Sequence, residues 1–151
     1  MYVGYGQRRG PAKLDTYLSH FVYGPTTRVA DIPPASDTYD LRYPYASTDT
    51  RSVTVTAQTF TVNFNAKTVS GTATVLVTGQ PWPGTHVMTF TGIFDANGSG
   101  FSGTMTSPTL PSGPFFGQLY GPGAVEMGLV LSVLSTDKNT LLPITLLGKR
   151  H

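Results

Sequence analysis

The sequence predicts an all-β protein, an eight-stranded antiparallel soluble β-barrel preceded by an irregular N-terminal arm. From about Thr38 onward apolar and polar residues alternate with a period of two, which is typical of strands that bury one face. Eight such runs follow one another, and turn residues separate them. Glycines inside the runs favour a strongly curved, closed sheet, and they are Gly71, Gly92, Gly103, Gly117 and Gly128.

The arm is predicted to span residues 1–35 and the barrel residues 36–151. Tyr, Gly and Pro recur in the arm, and only Tyr17 to Tyr23 reads as a strand. The pairs Gly24-Pro25 and Pro33-Pro34 interrupt the pattern after that strand, because glycine and proline favour turns. We therefore expect the regular sheet to begin only after the second pair.

The barrel strands are predicted from the alternation and from the turns between the runs. Asn65-Ala66-Lys67 suits a short hairpin, and the Asn-Gly step at Asn97 is typical of a tight hairpin turn. The predicted strands are Thr38–Ala46, Thr59–Phe64, Thr68–Val77, His86–Phe94, Gly100–Thr106, Phe115–Tyr120, Met127–Leu134 and Pro143–Gly148.

Closure into a barrel is favoured over a sandwich because it removes exposed strand edges. A membrane-spanning barrel needs strands of about 9 to 11 residues with an apolar outward band. Several runs here are shorter, and Thr and Ser dominate one face. No apolar run approaches the roughly 20 residues of a membrane helix. The pattern indicates a soluble barrel with an apolar interior and a threonine-rich exterior.

Composition narrows the class of protein further. The chain has 151 residues, of which 39% are hydrophobic and 12% charged, enough apolar content for one domain with a core and too little charge for a coiled coil. The absence of cysteine removes disulfides, thiol nucleophiles and Cys-ligated metal sites. Among the basic residues only Arg8-Arg9 and Lys149-Arg150 adjoin, so we predict no nucleic-acid partner.

One segment carries a resemblance to a known family. Gly117 to Val130 reads as a strand that ends in an aromatic residue, a Gly-Pro turn and a new strand. It resembles the barrel signature of the transferrin-binding protein B family, and the matching residues are Tyr120, Gly121, Pro122, Ala124, Glu126 and Gly128. We interpret these as structural residues. Further stretches look like the same family, and they are Phe21–Gly24 with Ala30–Pro33, Val62–Thr72, Gly100–Thr104 and Leu147–Arg150.

The resemblance implies an eight-stranded barrel, usually exported to the periplasm or the outer-membrane surface of a Gram-negative bacterium and often lipid-anchored. The family includes transferrin binders, relatives of factor H-binding protein and solute-binding domains. This chain is too short for two full lobes, so the resemblance does not carry over transferrin binding or any ligand residue.

Catalytic and cofactor chemistry finds little support in the sequence. Gly98, Gly100 and Gly103 spell the dinucleotide-binding spacing, but the residues that follow are β-prone and not helical. His20 and His86 could form a metal or haem site only if strand pairing brought them together. Asp37 and Asp40 point to opposite faces of a strand, which disfavours shared acid–base work. We predict no cofactor, no metal site and no enzymatic activity.

A binding role is the leading hypothesis. Gln80, Pro81, Trp82 and Pro83 place the sole tryptophan between two prolines in a loop, where an aromatic surface is held with little conformational entropy to lose. This loop is the candidate contact for a protein or small-solute ligand, although Trp82 could instead close one barrel end and stay buried. The alternative function is an assembly subunit of a larger surface complex that docks through its N-terminal arm.

Overall fold

Eight strands of the computed structural model pair around a closed ring. The structure describes residues 4–9, 18–45, 47–48, 51–79, 81–95, 98–135 and 141–151. Neighbouring strands are antiparallel, and β3 closes the ring by pairing with both β11 and β5. The barrel strands are β3 (Asp37–Tyr45), β5 (Arg51–Asn63), β6 (Thr68–Thr78), β7 (Gly84–Phe94), β8 (Gly100–Thr106), β9 (Gly113–Tyr120), β10 (Glu126–Leu134) and β11 (Leu141–Arg150). The predicted fold class is confirmed.

Short elements complete the described chain. Strands β1 (Gly4–Arg9) and β2 (Leu18–Tyr23) form an antiparallel pair in the arm, and β4 (Ser47–Thr48) adds two residues beside β5. Single 3₁₀ turns lie at Val29–Asp31 and Pro122–Ala124. The arm therefore contains one more strand than the sequence predicted, because β1 has no apolar alternation to reveal it. The boundary between arm and barrel at residue 35 stays a prediction.

The predicted distribution of side chains holds for the wall from β5 to β8. Inward positions on β6 alternate with exposed ones, so that Val69, Ala73 and Val75 are buried while Ser70 and Thr72 are exposed. The same alternation along β7 buries Met88 and Phe90 and exposes Thr89 and Thr91. This half of the barrel has the apolar interior and threonine-rich exterior that the sequence predicts.

Strand β5 begins eight residues earlier than predicted, at Arg51 instead of Thr59. A bulge between Val55 and Ala57 explains the difference. Val53 and Phe60 are both buried although their positions differ in parity. An extra residue in a bulge reverses the alternation, so the sequence shows only the second half of this strand as a regular run.

The outer face of β10 and β11 differs from the threonine-rich wall because it is covered. Pro143, Thr145 and Leu147 are buried on the outer side of β11, and Val22 of the arm packs with Leu147 and Tyr120. A Cβ atom on Gly128 would lie 2.8 Å from Val22 Cγ1. Gly128 therefore makes room for the arm, whereas the other four glycines named from the sequence point into the barrel.

Backbone hydrogen bonds fix the segment that follows β2. The Thr27 amide donates to Leu119 O at 3.0 Å, and the Gly121 amide donates to Pro25 O at 3.0 Å. The Thr27 hydroxyl also donates to Gly121 O at 2.8 Å. Residues 25–27 thus extend the sheet beside the end of β9, and they hold the arm against the barrel wall.

The antiparallel order sends successive loops to opposite ends of the barrel. Loops 79–83 and 107–112 lie at one end, here called the Trp82 end. Loops 64–67, 95–99 and 121–125 lie at the other, here called the Ala124 end. The predicted hairpin at Asn65 is confirmed, and the Ala66 amide donates to Asn63 Oδ1 at 2.8 Å.

Candidate functional site

Aromatic side chains fill the interior of the barrel. Six phenylalanine rings form one connected cluster with centroid separations from 5.4 to 6.3 Å. The cluster consists of Phe60, Phe64, Phe90, Phe94, Phe101 and Phe115. Such separations are those of packed aromatic pairs. A barrel of eight strands is just wide enough for side chains to fill, and here they fill it.

Inward glycines provide the space for these rings. A Cβ atom on Gly117 would lie 2.1 Å from Phe101 Cε2, and one on Gly71 would lie 2.8 Å from Phe60 Cδ2. Each ring therefore occupies the volume that a side chain on the facing strand would need. Gly92 and Gly103 pair across β7 and β8, next to Phe115. Side chains of the barrel strands thus fill this interior.

The Trp82 end is closed by two apolar side chains. Trp82 is partly buried against the core, and Leu110 from the opposite loop is 4% exposed. The Ser107 hydroxyl oxygen accepts hydrogen bonds from the amides of Thr109 and Leu110 at 3.3 and 3.2 Å, which fixes the turn that delivers Leu110. The ring is thus partly buried and helps to cover this end of the core. The partner contact predicted for Trp82 stays a prediction.

His86 joins the two loops at this end. Its side chain is 7% exposed on the inward face of β7. Nε2 lies 3.0 Å from Trp82 O, and Nδ1 lies 2.8 Å from Thr109 Oγ1. Because a carbonyl oxygen only accepts hydrogen bonds, Nε2 must carry the hydrogen and donate it to Trp82 O. In that tautomer Nδ1 accepts a hydrogen bond from the Thr109 hydroxyl. His86 therefore links loop 79–83 to loop 107–112 through one hydrogen bond to each.

Loops 79–83 and 107–112 present an uncharged, proline-rich surface at the Trp82 end. Pro81 and Pro83 flank Trp82, Pro108 and Thr109 lie on the facing loop, and all four are exposed. Gln80, the first residue of the predicted contact loop, lies outside the described residues. Proline limits backbone freedom in a loop, so little further entropy is lost when a partner binds.

Sequence reasoning missed the contributions of His86, Thr109 and Leu110. A usable signal was present for the histidine, because its parity on β7 matches that of Met88 and Phe90 and therefore predicts burial. A buried imidazole requires hydrogen-bond partners. The facing loop gives no such signal, since only the fold brings residues 107–110 next to Trp82.

The family-like motif forms the turn at the Ala124 end. Gly121, Gly123 and Ala124 have φ angles of 75°, 65° and 55°, in the left-handed region. The Tyr39 hydroxyl donates to Ala124 O at 2.6 Å, and Arg150 Nη1 donates to Gly123 O at 2.5 Å. These bonds hold a backbone conformation that is costly for alanine. The structural role assigned to the motif stays a prediction, and this geometry supports it.

Remaining motif residues lie on the outer wall beside the arm. Tyr120 and Glu126 are buried, at 3% and 7% exposure, and they are cross-strand partners. Lys149 is the cross-strand partner of Glu126 on the other side. Val22 of the arm packs against Gly128, as described above. The motif thus joins the turn, the arm and the β9–β10 pairing in one structural unit.

Tyr39 is buried where β3 closes the barrel, and its ionisation makes the stability of the fold depend on pH. Burial raises its pKa well above the ordinary value near 10, Arg150 opposes this shift and Asp37 adds to it. Burial also raises the pKa of Tyr120. A raised pKa means that the folded state holds the proton more tightly, so the stabilising contribution is complete below pH 10 and is lost as pH rises above it.

We therefore expect the free energy of unfolding to fall between pH 10 and 12, with a slope of up to about 1.4 kcal/mol per pH unit from each tyrosine. Urea unfolding at several pH values measures this slope. The Tyr39→Phe variant, which cannot ionise there, should show a smaller slope than the wild type. Equal slopes in the two proteins would contradict the assignment.

The other chemistry considered from the sequence does not assemble in the structure. Gly100 and Gly103 of the dinucleotide-like spacing lie within strand β8, and no helix begins there. His86 faces the barrel interior, whereas β2, which carries His20, lies outside β10 and β11. Asp37 pairs with Arg150 Nε at 3.1 Å, and Asp40 pairs with His151 Nε2 at 2.7 Å.

Within the ranges that the structure describes, His, Asp and Glu side chains form no cluster of three or more that would suit a metal ion. Over the same ranges, no helix has the length and apolarity needed to cross a bilayer.

A shallow depression lies on the outer wall, between the arm and strands β9 and β10. Its volume is about 410 Å³. The arm side is lined by Val22, Tyr23 and Thr26, and the barrel side by Phe116 and Val130 among others. Tyr23 and Phe116 are 57% and 59% exposed, so two aromatic rings border an open, apolar site. No sequence signal pointed to it, because it exists only where the arm crosses the wall.

A closed eight-stranded antiparallel barrel with an interior filled by its own side chains defines the class of β-barrel domain found here. The family model described as the C-lobe and N-lobe beta barrels of Tf-binding protein B matches residues 20–142. The chain belongs to this family, as the motif at Tyr120 predicted.

Solved structures show the same fold. A transferrin-binding protein B variant from Haemophilus parasuis Hp5 matches with a TM-score of 0.62 and 20% identity, over 99% of this chain and 33% of its own. Isotype 1 transferrin-binding protein B from serogroup B Neisseria meningitidis matches with a TM-score of 0.62 and 20% identity, over 100% of this chain and 32% of its own. The chain thus spans about a third of their length. Comparison with curated protein sequences gave no match.

Proposed function

We propose that the chain is a non-enzymatic binding domain, exported to the periplasm or the outer-membrane surface of a Gram-negative bacterium, that recognises a protein partner through its Trp82 end. The observation that supports this most is a filled interior combined with the uncharged surface of loops 79–83 and 107–112, which hydrogen bonds of His86 connect. A small solute cannot enter the space occupied by the six phenylalanine rings, which favours a partner that binds from outside.

The residues at the Trp82 end suit protein recognition. Pro81 and Pro83 are exposed beside a partly buried tryptophan, and His86 holds Trp82 O in place. Aromatic residues with limited freedom are frequent at the energetic centre of protein interfaces. Family membership supports the same role, because the related proteins named above are transferrin-binding proteins by name. Transferrin is therefore the first partner to test.

The assembly role through the arm is the weaker candidate. Val22 packs against the chain's own barrel, and residues 25–27 are hydrogen-bonded to the end of β9. In this position the arm is already packed against its own barrel wall. Packing of the arm on its own barrel therefore favours recognition through the loops over assembly through the arm.

The test adds one negative charge at either end of the barrel. Pro83→Asp alters the Trp82 end, and the matched control Asn65→Asp alters an equally exposed turn at the Ala124 end. Wild-type and variant chains are immobilised and exposed to purified transferrin, and then to whole serum and to a bacterial envelope extract. Surface plasmon resonance and mass spectrometry record the affinity for transferrin and the proteins retained.

We expect Pro83→Asp to weaken binding of the retained partner at least about tenfold, which corresponds to about 1.4 kcal/mol, and Asn65→Asp to leave it unchanged. If the wild-type chain retains no protein, the binding role is wrong. If the two variants weaken binding equally, or only Asn65→Asp does, the assignment to the Trp82 end is wrong.

A further inference from the structure

The wall from β5 to β9 is almost free of charge. Between Ser52 and Val125 the only charged residues are Lys67 and Asp95. Both lie at the Ala124 end, beyond the strands of the wall. Protein surfaces ordinarily carry interspersed charges of both signs that keep molecules apart in solution. This wall instead presents threonine, serine and a few apolar side chains.

Three apolar side chains lie on one line across this wall and the arm. Ile93 on β7 pairs with Ser102 on β8, and Ser102 pairs with Phe116 on β9. Phe116 then borders the depression described above, with Tyr23 on its far side. Ile93, Phe116 and Tyr23 are 64%, 59% and 57% exposed, the highest values among the exposed large hydrophobic side chains of the described residues.

In this arrangement the exposed side chain of Ile93 lies close to the depression beside Phe116. Ile93 lies two strand spacings, or about 10 Å, from Phe116, and the depression lies immediately beyond. A two-fold axis through the intervening surface, near Ser102 and Phe116, would bring Ile93 of each copy to the depression of the other. Such isologous contact requires only that one face be complementary to itself.

We propose that this face joins two copies of the chain, with the Ile93 side chain of each copy seated in the depression between Tyr23, Phe116 and Val130 of the other. Charge argues for a second copy as the occupant. Two copies of a densely charged face would repel, whereas strands β7, β8 and β9, which carry no charged side chain, meet themselves at no such cost. The net charge of +2 also leaves little repulsion between whole molecules.

The area argues for a weak dimer. From β7 to the arm the face is about 24 Å wide, and six residues of strand give it a length of about 20 Å. Because the wall is curved, each copy would then bury at most about 500 Å², or at most about 1,000 Å² in total, at the lower end of specific interfaces or below it. We expect dissociation in the micromolar to millimolar range and a dimer that forms only at high concentration.

Sedimentation equilibrium of the purified chain, from about 10 μM to about 1 mM, tests the proposal without any other partner. We expect a concentration-dependent dimer for the wild type. Ile93→Asp places an unpaired charge in the depression and should weaken dimerisation at least about tenfold. The matched control is Val87→Asp, an outward-facing aliphatic residue of the same strand that is 45% exposed and lies about 20 Å away.

A wild type that remains monomeric overturns the proposal and leaves this face to another partner. Equal loss of the dimer in both variants, or no loss in Ile93→Asp, also overturns it. Thermal unfolding of each variant establishes that it is folded.

The absence of cysteine allows a second, independent measurement. Ile93→Cys and Gln118→Cys chains, mixed under oxidising conditions, should form a disulfide between copies, because Gln118 lines the depression. Val87→Cys mixed with Gln118→Cys should not. Equal cross-linking in the two mixtures would contradict the seating of Ile93.

Discussion

Replacing Phe101 with alanine is expected to lower the free energy of unfolding by about 3 to 5 kcal/mol, the usual cost of removing a buried phenylalanine. Phe101 is 2% exposed, and its ring contacts those of Phe60, Phe94 and Phe115. It therefore lies at the centre of the packed interior. Urea unfolding followed by circular dichroism gives the change in free energy.

A double-mutant cycle shows whether Phe101 and Gly117 fill the same space. Gly117→Ala alone should cost about 1 to 3 kcal/mol, because the new Cβ would overlap the Phe101 ring. In the Phe101→Ala background the added cost should fall below about 1 kcal/mol, since the ring is gone. Gly98→Ala is the control, because its nearest neighbour would lie at 3.6 Å. Additive costs would contradict the account of a filled barrel.

A second large effect is expected from Gly128→Val, which should lift the arm away from the wall. Val22 lies where the new side chain would be, and a stiff β-branched residue cannot move aside. We expect a loss of about 1 to 3 kcal/mol and faster amide exchange at Thr27 and Gly121, whose amides are hydrogen-bonded only while residues 25–27 lie beside β9.

The Val22→Ala substitution provides the control for this experiment. It removes the two methyl groups nearest to the new side chain, so it should restore part of the lost stability in the Gly128→Val protein. Unchanged exchange at Thr27 in Gly128→Val, or exchange that rises equally in the barrel strands, would contradict the position of the arm.

Much of the fold was predictable because one face of most strands is buried and the other is solvated. The hairpin around Asn65 and the strands β6 and β7 follow directly from period-two alternation. Strand β5 was found only in part, because its bulge near Val55 reverses that alternation. Both faces of β11 are buried from Leu142 to Gly148, so its sequence gives no indication that the arm covers one of them.

The candidate site was less predictable than the fold. Trp82 stood out because it is the sole tryptophan and lies between prolines, whereas Thr109 and Leu110 come to it only through the closed barrel. The ion pair between Asp37 and Arg150 likewise joins the first and last barrel strands, β3 and β11. Such contacts depend on closure, which alternation alone does not specify residue by residue.

Hydrogen exchange of the chain, alone and bound to its captured partner, tests directly whether the partner binds at the Trp82 end. The account predicts protection of residues 79–85 and 107–112 at the Trp82 end, with no change at residues 64–67 and 121–125. Protection confined to the Ala124 end, or to the barrel strands that carry the phenylalanine cluster around Phe101, would contradict recognition through the Trp82 end of a filled barrel.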